Sequence, residues 1–351
     1  METHLSTKLP NLLLPWYRAN RRDLPWRKDR EPYHIWLSEI MLQQTRVAAA
    51  QGYYLRFLRQ LPDLQELAQC EEGQLLKLWE GLGYYNRARN LQKCAQVLLR
   101  DYGGQFPTTA DQLEKLPGIG PYTAGAIASI AFDRPAPAID GNVQRVVTRL
   151  TRDDTPLDDP ALKKRIYDLL LPLYTPGTCA DMTQALMELG ATVCLPGAQA
   201  KCGECPCREL CQAFAQGCVE QLPVPGAKKP RREEERTVFL LRCAGAVALR
   251  RRPGKGLLAG LWEFPNTLGF LEPSQAVQQL EHQGLRPTNI VKIVEKKHIF
   301  THITWKMRGI VLDVQEPAGP YTWMDLAQVD ANAALPTAFR QFRGDFEEET
   351  T

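Results

Sequence analysis

The sequence predicts an all-α first domain followed by an α+β second domain. Up to about Phe214, apolar residues recur at spacings of three and four; from Val238 onward, short β-branched and aromatic runs alternate with turn residues. Between them, residues 221–236 turn to Pro, Lys, Arg and Glu with no apolar period, as an exposed linker does. The expected division is therefore 1–220, a linker at 221–236, and 237–347, with a cysteine-rich loop at about 190–215.

In order along the chain, a first helix runs through Leu12–Trp16, and helical spacing follows in Leu75–Leu82, Ala88–Leu99, Ala124–Ala131 and Ile166–Leu173. Turn signals such as Tyr102-Gly-Gly-Gln-Phe-Pro107, Asp133-Arg-Pro-Ala-Pro137 and Tyr174-Thr-Pro-Gly177 separate these runs. In the second domain Val238–Cys243, Ala246–Leu249, Ile293–Ile299, Ile303–Met307 and Ile310–Val314 read as strands, with helices at Ser274–Gln283 and Thr337–Phe346.

The 351 residues, 44% of them hydrophobic, suffice for a core in each domain. The longest apolar stretches, Ile35–Leu42 and Ala124–Phe132, are too short to cross a bilayer, and Met1–Pro10 lacks the apolar core of a secretory signal. A cytoplasmic, reducing compartment is expected. The net charge of +3 does not by itself announce a nucleic-acid partner. The local clusters Arg18–Arg30, Arg87–Arg89, Arg145–Arg152 and Lys228–Arg232 suit either phosphates or a solvated face.

Ten cysteines are many for such a compartment, and five of them fall between Cys194 and Cys211. The spacing Cys194-x7-Cys202-x2-Cys205-x5-Cys211 suits a four-iron four-sulfur cluster or a structural zinc. Cys207 and Cys218 are surplus to it.

Two further segments carry chemistry. Leu116-Pro-Gly-Ile-Gly120 is a hairpin whose glycines, Gly118 and Gly120, let backbone approach a ligand closely; the helix that follows from Pro121, Tyr122 and Thr123 offers N–H groups to a phosphate. Asp140 then precedes Gly141 and Asn142 as a helix N-cap, a role compatible with catalysis. Upstream, helical spacing places Ile35, Trp36, Leu42 and Gln43 beside Glu39. A carboxylate on that face is poorly solvated, so its pKa rises and it suits a general acid; a buried structural Glu is the alternative.

The hairpin followed by Asp140 resembles the helix-hairpin-helix superfamily of base-excision DNA glycosylases. Over nearly the whole chain the closest resemblance is to adenine DNA glycosylases of the MutY type. It is carried by Leu24-Pro-Trp-Arg27, Trp36-Leu-Ser-Glu-Ile-Met-Leu-Gln-Gln-Thr45, Gly81-Leu-Gly-Tyr-Tyr85, Arg87-Ala-Arg-Asn90, the hairpin, Ile139-Asp-Gly-Asn-Val143 and Ala185-Leu-Met-Glu-Leu-Gly190. It implies an all-α helix-hairpin-helix glycosylase core with an iron-sulfur cluster region, followed by an α+β Nudix-like domain. The latter is carried by Gly254-Lys-Gly-Leu-Leu-Ala-Gly-Leu-Trp-Glu-Phe-Pro265 and His298-Ile-Phe-Thr-His302, without the glutamate-rich helix that pyrophosphate hydrolysis needs.

The resemblance further implies an enzyme acting on double-stranded DNA, releasing adenine mispaired with 8-oxoguanine or guanine; a monomer fits an enzyme that encircles a duplex. Glu39 would be the proton donor and Asp140 the stabiliser of the sugar cation, with Asn142 orienting a carboxylate. Tyr122 stands where strand-cutting relatives carry lysine, which implies a monofunctional enzyme. Arg27 and Gln184 would bind adenine between Trp26 and Leu42, while Gln44, Tyr84, Phe300, Thr301 and His302 would meet the opposite base or its strand. For Phe300 a plain core role is the alternative. One [4Fe-4S] cluster on Cys194, Cys202, Cys205 and Cys211 is implied, although the first gap is one residue longer than the family's usual spacing. A monovalent cation on hairpin carbonyls near Gly118 completes the implied set. A pyrimidine-specific glycosylase with lyase activity is disfavoured by Tyr122. A non-catalytic DNA-binding adaptor is disfavoured by the presence of both Glu39 and Asp140. A zinc deaminase fails for want of His-x-Glu before Pro206-Cys207.

Overall fold

The computed structural model describes residues 2–227 and 230–347, so Lys228 and Lys229 of the last basic cluster lie outside it. The helices are α1 Glu2–Asn20, α2 Pro32–Leu42, α3 Val47–Gln60, α4 Leu64–Gln69 and α5 Glu72–Leu78. They continue with α6 Asn86–Tyr102, α7 Ala110–Leu113, α8 Pro121–Phe132, α9 Gly141–Thr151, α10 Pro160–Leu170, α11 Cys179–Thr192 and α12 Gln212–Ala215. None of the helices among the described residues is long and apolar enough to cross a membrane. Contacts divide the chain into two compact units: Met1–Gln69 with Asn90–Ala227, and Cys70–Arg89 with Lys228–Thr351.

The first unit is all-α, as expected. Leu9, Leu13 and Tyr17 of α1 recur every fourth residue and bury one stripe against Val143, Val146, Val147 and Leu150 of α9 and Met182, Ala185, Leu186 and Leu189 of α11. In α2 every residue from Ile35 to Met41 is buried, Glu39 included, so this helix lies inside the unit. The hairpin joins α7 to α8. Gly118 takes φ +76, and a Cβ there would lie 2.6 Å from Cβ of Asn90, so both the backbone turn and the packing require glycine. Asp140 caps α9: its Oδ1 accepts from the Val143 N–H at 2.7 Å.

The second unit is α+β. Its strands are β1 Arg232–Cys243, β2 Ala246–Arg251, β3 Trp262–Glu263, β4 Asn266–Leu268, β5 Pro287–Ile299, β6 Ile303–Val314 and β7 Thr322–Asp325, with helices α13 Pro273–His282, α14 Leu326–Asn332 and α15 Thr337–Arg340. The sheet order is β3-β2-β1-β6-β5, with β4 on β1 and β7 on β2. β1 and β6 run parallel, Arg232 opposite Ile303 through Arg242 opposite Asp313; β5 and β6 are antiparallel. Phe239, Leu241, Ile310 and Leu312 meet Ala276 and Leu280 of α13, whereas Val238, Leu240, Met307 and Val311 pack with Phe339 and Phe342.

Three local expectations shift. Ile303–Met307 and Ile310–Val314 form one strand, β6, because Gly309 is a packing site rather than a break: a Cβ there would sit 2.7 Å from the Phe342 ring. β1 begins at Arg232, inside the expected linker. Its first residues have no apolar alternation because Glu233 pairs with Lys306 at 2.7 Å and Glu234 accepts from the Trp305 indole at 3.1 Å, so charge pairing replaces burial. The run Leu75–Leu82 leaves the helix after Leu78, and Gly81 and Gly83 take left-handed backbone at φ +97 and +68.

Candidate active site

In the first unit a cavity of about 290 Å³ is lined by Trp26, Arg27, Glu39, Leu42, Tyr122, Asp140, Asn142, Gln184 and Glu188, among others. Segments far apart in sequence supply these groups: the turn Pro25–Arg27, α2, the first turn of α8, the cap of α9, and α11.

Glu39 is 6% exposed and accepts a hydrogen bond from the Tyr122 hydroxyl. Burial pushes its carboxyl up to about 7; the Tyr122 bond opposes that rise, the Asp140 charge adds to it, and Arg27 opposes it more weakly. Glu39 can therefore hold or release a proton near neutrality. Burial, together with the charge of Glu39, drives the Tyr122 phenol well above its ordinary value, so it stays protonated and donates.

Asp140 is fixed on both oxygens. While Oδ1 holds the cap bond, Oδ2 accepts from Asn142 Nδ2 at 2.8 Å, and Asn142 Oδ1 in turn accepts from Arg145 Nη2 at 2.8 Å. Arg145 also donates to the carbonyls of Gly190 and Cys194, each at 2.8 Å. Gly190 permits the approach of α11 to α9, since a Cβ there would stand 2.6 Å from Cβ of Asn142.

Arg27 reaches the cavity with one nitrogen on Glu188 Oε2 at 2.8 Å. Arg22 grips the same carboxylate at 2.7 and 2.9 Å through its side chain and at 3.0 Å through its backbone N–H. Burial works against the charge on Glu188, yet the bonds from Arg22 and Arg27 hold its carboxyl at about 2. The sequence motifs point to Arg27 but not to its partners Arg22 and Glu188. The available signal was a glutamate between apolar Ala185, Leu186 and Leu189 on one helix, a place that requires a cationic partner.

Gln184 lines the cavity, and Trp26 packs edge-on against Tyr54 with ring centroids 5.5 Å apart. Gln44 is exposed at φ +62 and does not line the cavity. Its neighbour Gln43 instead donates to Thr123 at 3.3 Å.

Cys194, Cys202, Cys205 and Cys211 surround one small recess together with Arg149, Val193, Phe214 and Val219. Among the described residues no group of three or more His, Cys, Asp or Glu side chains is disposed to hold a single metal ion. Arg149 donates to Cys194 Sγ at 3.3 Å. Cys207 is a fully buried free thiol, and its hydrogen bond to Cys205 holds the Cys205 thiol below its ordinary value.

In the second unit the Tyr84 hydroxyl lies 2.7 Å from Thr301 Oγ1. Phe300 packs between His298 and Trp305, its ring 4.4 and 4.8 Å from theirs, and so is tied to the core of the sheet. His302 is exposed, and its carbonyl accepts from Arg232 N at 3.1 Å.

Residues 37–168 match the model of the HhH-GPD superfamily of base excision DNA repair proteins, and residues 237–343 match the NUDIX domain. Adenine DNA glycosylase of Rattus norvegicus is 36% identical over 94% of this chain and 77% of its own length. The chain belongs to the adenine DNA glycosylase family. The human relative is 34% identical over 95% of this chain and 73% of its own length. That of Buchnera aphidicola from Acyrthosiphon pisum is 30% identical over 86% and 85%. Among solved structures, a thermostable thymine-DNA glycosylase aligns with TM-score 0.55 and 28% identity, covering 61% of this chain and 98% of its own. Endonuclease III in a non-covalent DNA complex, 24% identical with TM-score 0.51 over 60% and 97%, shares the fold. This member of the adenine DNA glycosylase family is accordingly a DNA N-glycosylase, a hydrolase of base-excision repair, with a helix-hairpin-helix core and a Nudix-like α+β domain.

Proposed function

We propose that this glycosylase releases adenine paired with 8-oxoguanine, or with guanine, by hydrolysis of the N-glycosidic bond without cutting the strand. The observation that carries this reading is the pair of carboxylates on one cavity: Glu39, protonatable near neutrality, and Asp140, held by a backbone amide and Asn142.

The target adenine leaves the base stack to reach the cavity. There Arg27 and Gln184 bond its edge, with Trp26 and Leu42 as walls. Glu39 donates its proton to N7, so the base departs as neutral adenine and the sugar becomes oxocarbenium-like. Asp140 stabilises that cation or traps it transiently. Glu39, now ionised, takes a proton from water as its oxygen bonds to the anomeric carbon, which completes hydrolysis. Tyr122 has no amine with which to form a Schiff base, so no lyase step follows.

Around the chemistry, Gly118 and Gly120 place hairpin N–H groups on a phosphate, and the carbonyls near Gly118 would hold a monovalent cation that adds positive charge there. Gln44, Tyr84, Phe300, Thr301 and His302 meet the opposite base and its strand. Cys194, Cys202, Cys205 and Cys211, which line one recess, would hold one [4Fe-4S] cluster. When bound, that cluster supplies a structural tie for the loop 190–215. The enzyme acts as a monomer on double-stranded DNA.

The test uses duplexes bearing adenine opposite 8-oxoguanine, guanine or thymine, with strand breaks read before and after alkali. Release from the first two, with breaks appearing only after alkali, is expected. Equal release opposite thymine would remove the lesion specificity, and breaks before alkali, with a borohydride-trapped adduct, would remove the monofunctional assignment.

A further inference from the structure

The segment that carries Tyr84 is folded as part of the second unit, and its geometry shows how. Residues 70–89 cluster with the residues from 228 onward. After α5 the chain passes Gly81, Gly83 and Tyr84, all left-handed, with Tyr84 at φ +46. A tyrosine holds that backbone only where its surroundings over-determine it. Arg87 closes one side, donating to the carbonyls of Leu82 and Gly83 at 2.9 and 3.2 Å, and Arg89 donates to the Ala259 carbonyl at 2.7 Å.

The other side rests on Glu80. Its side chain is 10% exposed; Oε1 accepts from the Leu335 N–H at 2.8 Å, and Oε2 accepts from Lys77 Nζ at 2.7 Å with Arg340 at 3.7 Å. Lys77 also donates to the Ala333 carbonyl at 3.0 Å. Glu80 thus joins the start of the left-handed turn to the loop before α15, within the same unit whose Thr301 receives Tyr84.

We propose that Glu80 is a positioning residue for reading the base opposite adenine: its clasp on the Leu335 amide sets the turn that brings the Tyr84 hydroxyl to Thr301. This rests on the reading of Tyr84 and Thr301 as lesion-contacting residues. Glu80 touches neither the cavity of Glu39 and Asp140 nor any group assigned to adenine, so its loss falls on lesion preference and not on base release.

The experiment compares full-length wild type with Glu80→Ala, Glu80→Gln, Tyr84→Phe and Glu80→Ala/Tyr84→Phe. Single-turnover adenine release is measured opposite 8-oxoguanine and opposite guanine at subsaturating enzyme. Glu80→Ala is expected to lower the 8-oxoguanine:guanine rate ratio about tenfold, as loss of a supporting contact misplaces a recognition group, with the rate opposite guanine held within about twofold. Glu80→Gln keeps an acceptor for the Leu335 amide and stays near the wild-type ratio. The double variant matches Tyr84→Phe alone, because Glu80 acts through Tyr84.

An unchanged ratio in Glu80→Ala, a parallel loss on both duplexes, or additive effects in the double variant would overturn the proposal. Should Tyr84→Phe and Thr301→Val both leave the ratio unchanged, the lesion-contact reading itself falls and the role of Glu80 falls with it. If those two lower the ratio while Glu80→Ala does not, only the role of Glu80 falls.

Discussion

The Tyr122 hydroxyl donates to Glu39 Oε2, joining the helix after the hairpin to the buried helix α2. This bond favours the ionised form of Glu39 against the effect of burial, and their balance leaves the carboxyl at about 7. Tyr122→Phe removes the stabilisation, so the carboxyl rises further and keeps its proton to higher pH. The falling limb of single-turnover adenine release should move to the alkaline side. An unmoved limb would show that Glu39 is not the group titrating. Glu39→Gln should lose the general-acid contribution, about 10²–10⁴-fold in rate.

Asp140→Asn separates chemistry from folding. Asparagine caps helices about as well as aspartate, so thermal stability should change by less than about 1 kcal/mol. The negative charge beside the sugar is nevertheless gone. Adenine release should stop while duplex binding persists, as read by single-turnover kinetics and a binding titration. An active variant would remove Asp140 from the mechanism.

Glu188 belongs to stability more than to proton transfer. Its folded carboxyl sits at about 2, below the ordinary 4.5, so the native state favours the charged form. Its contribution is fully present above the ordinary value and disappears as pH falls toward 2. Glu188→Gln leaves Arg22 and Arg27 without their counter-charge and should cost about 3 kcal/mol at neutral pH. It should also flatten the acid arm of the stability curve. Denaturant unfolding across that range measures both, and an unchanged acid arm would assign the slope to other carboxylates.

The cysteine recess makes a prediction about colour. Cys202→Ser should abolish the brown absorbance and the iron and sulfide content of the purified enzyme, whereas Cys207→Ser should keep them, because the two-then-five spacing is met without Cys207. A colourless wild type containing one zinc would replace the cluster assignment.

What the sequence made legible was mainly local. The cap at Asp140 needs only Gly141, Asn142 and Val143, and the poor solvation of Glu39 follows from its immediate helical neighbours. That Glu188 needs a cation is legible from its apolar neighbours, but the identity of that cation is not, because Arg22 lies 166 residues away and no periodicity announces such a pairing. Gly309 shows the same limit: a glycine beside an arginine reads as a turn until the Phe342 ring is known to lie against it. For residues 70–89, helical spacing located an apolar face on α5 but carried no information about which unit would cover it. Phe300, read as a lesion contact or a core residue, has ring neighbours on both sides and still stands beside Thr301.

The parallel pairing of β1 with β6 has a consequence for how the chain matures. Parallel partners cannot form from a hairpin, and Arg232 must wait for Ile303 to be made before their ladder can start. The segment 70–89 waits longer still, since Leu335, its partner at Glu80, emerges from the ribosome 255 residues later. At translation rates of about 5–20 residues per second that interval is on the order of ten seconds or more. During it, Leu75, Leu76 and Trp79, all buried in the finished protein, belong to a segment made well before the second-unit residues it clusters with, and apolar surface left waiting in this way is what makes a nascent chain prone to aggregate.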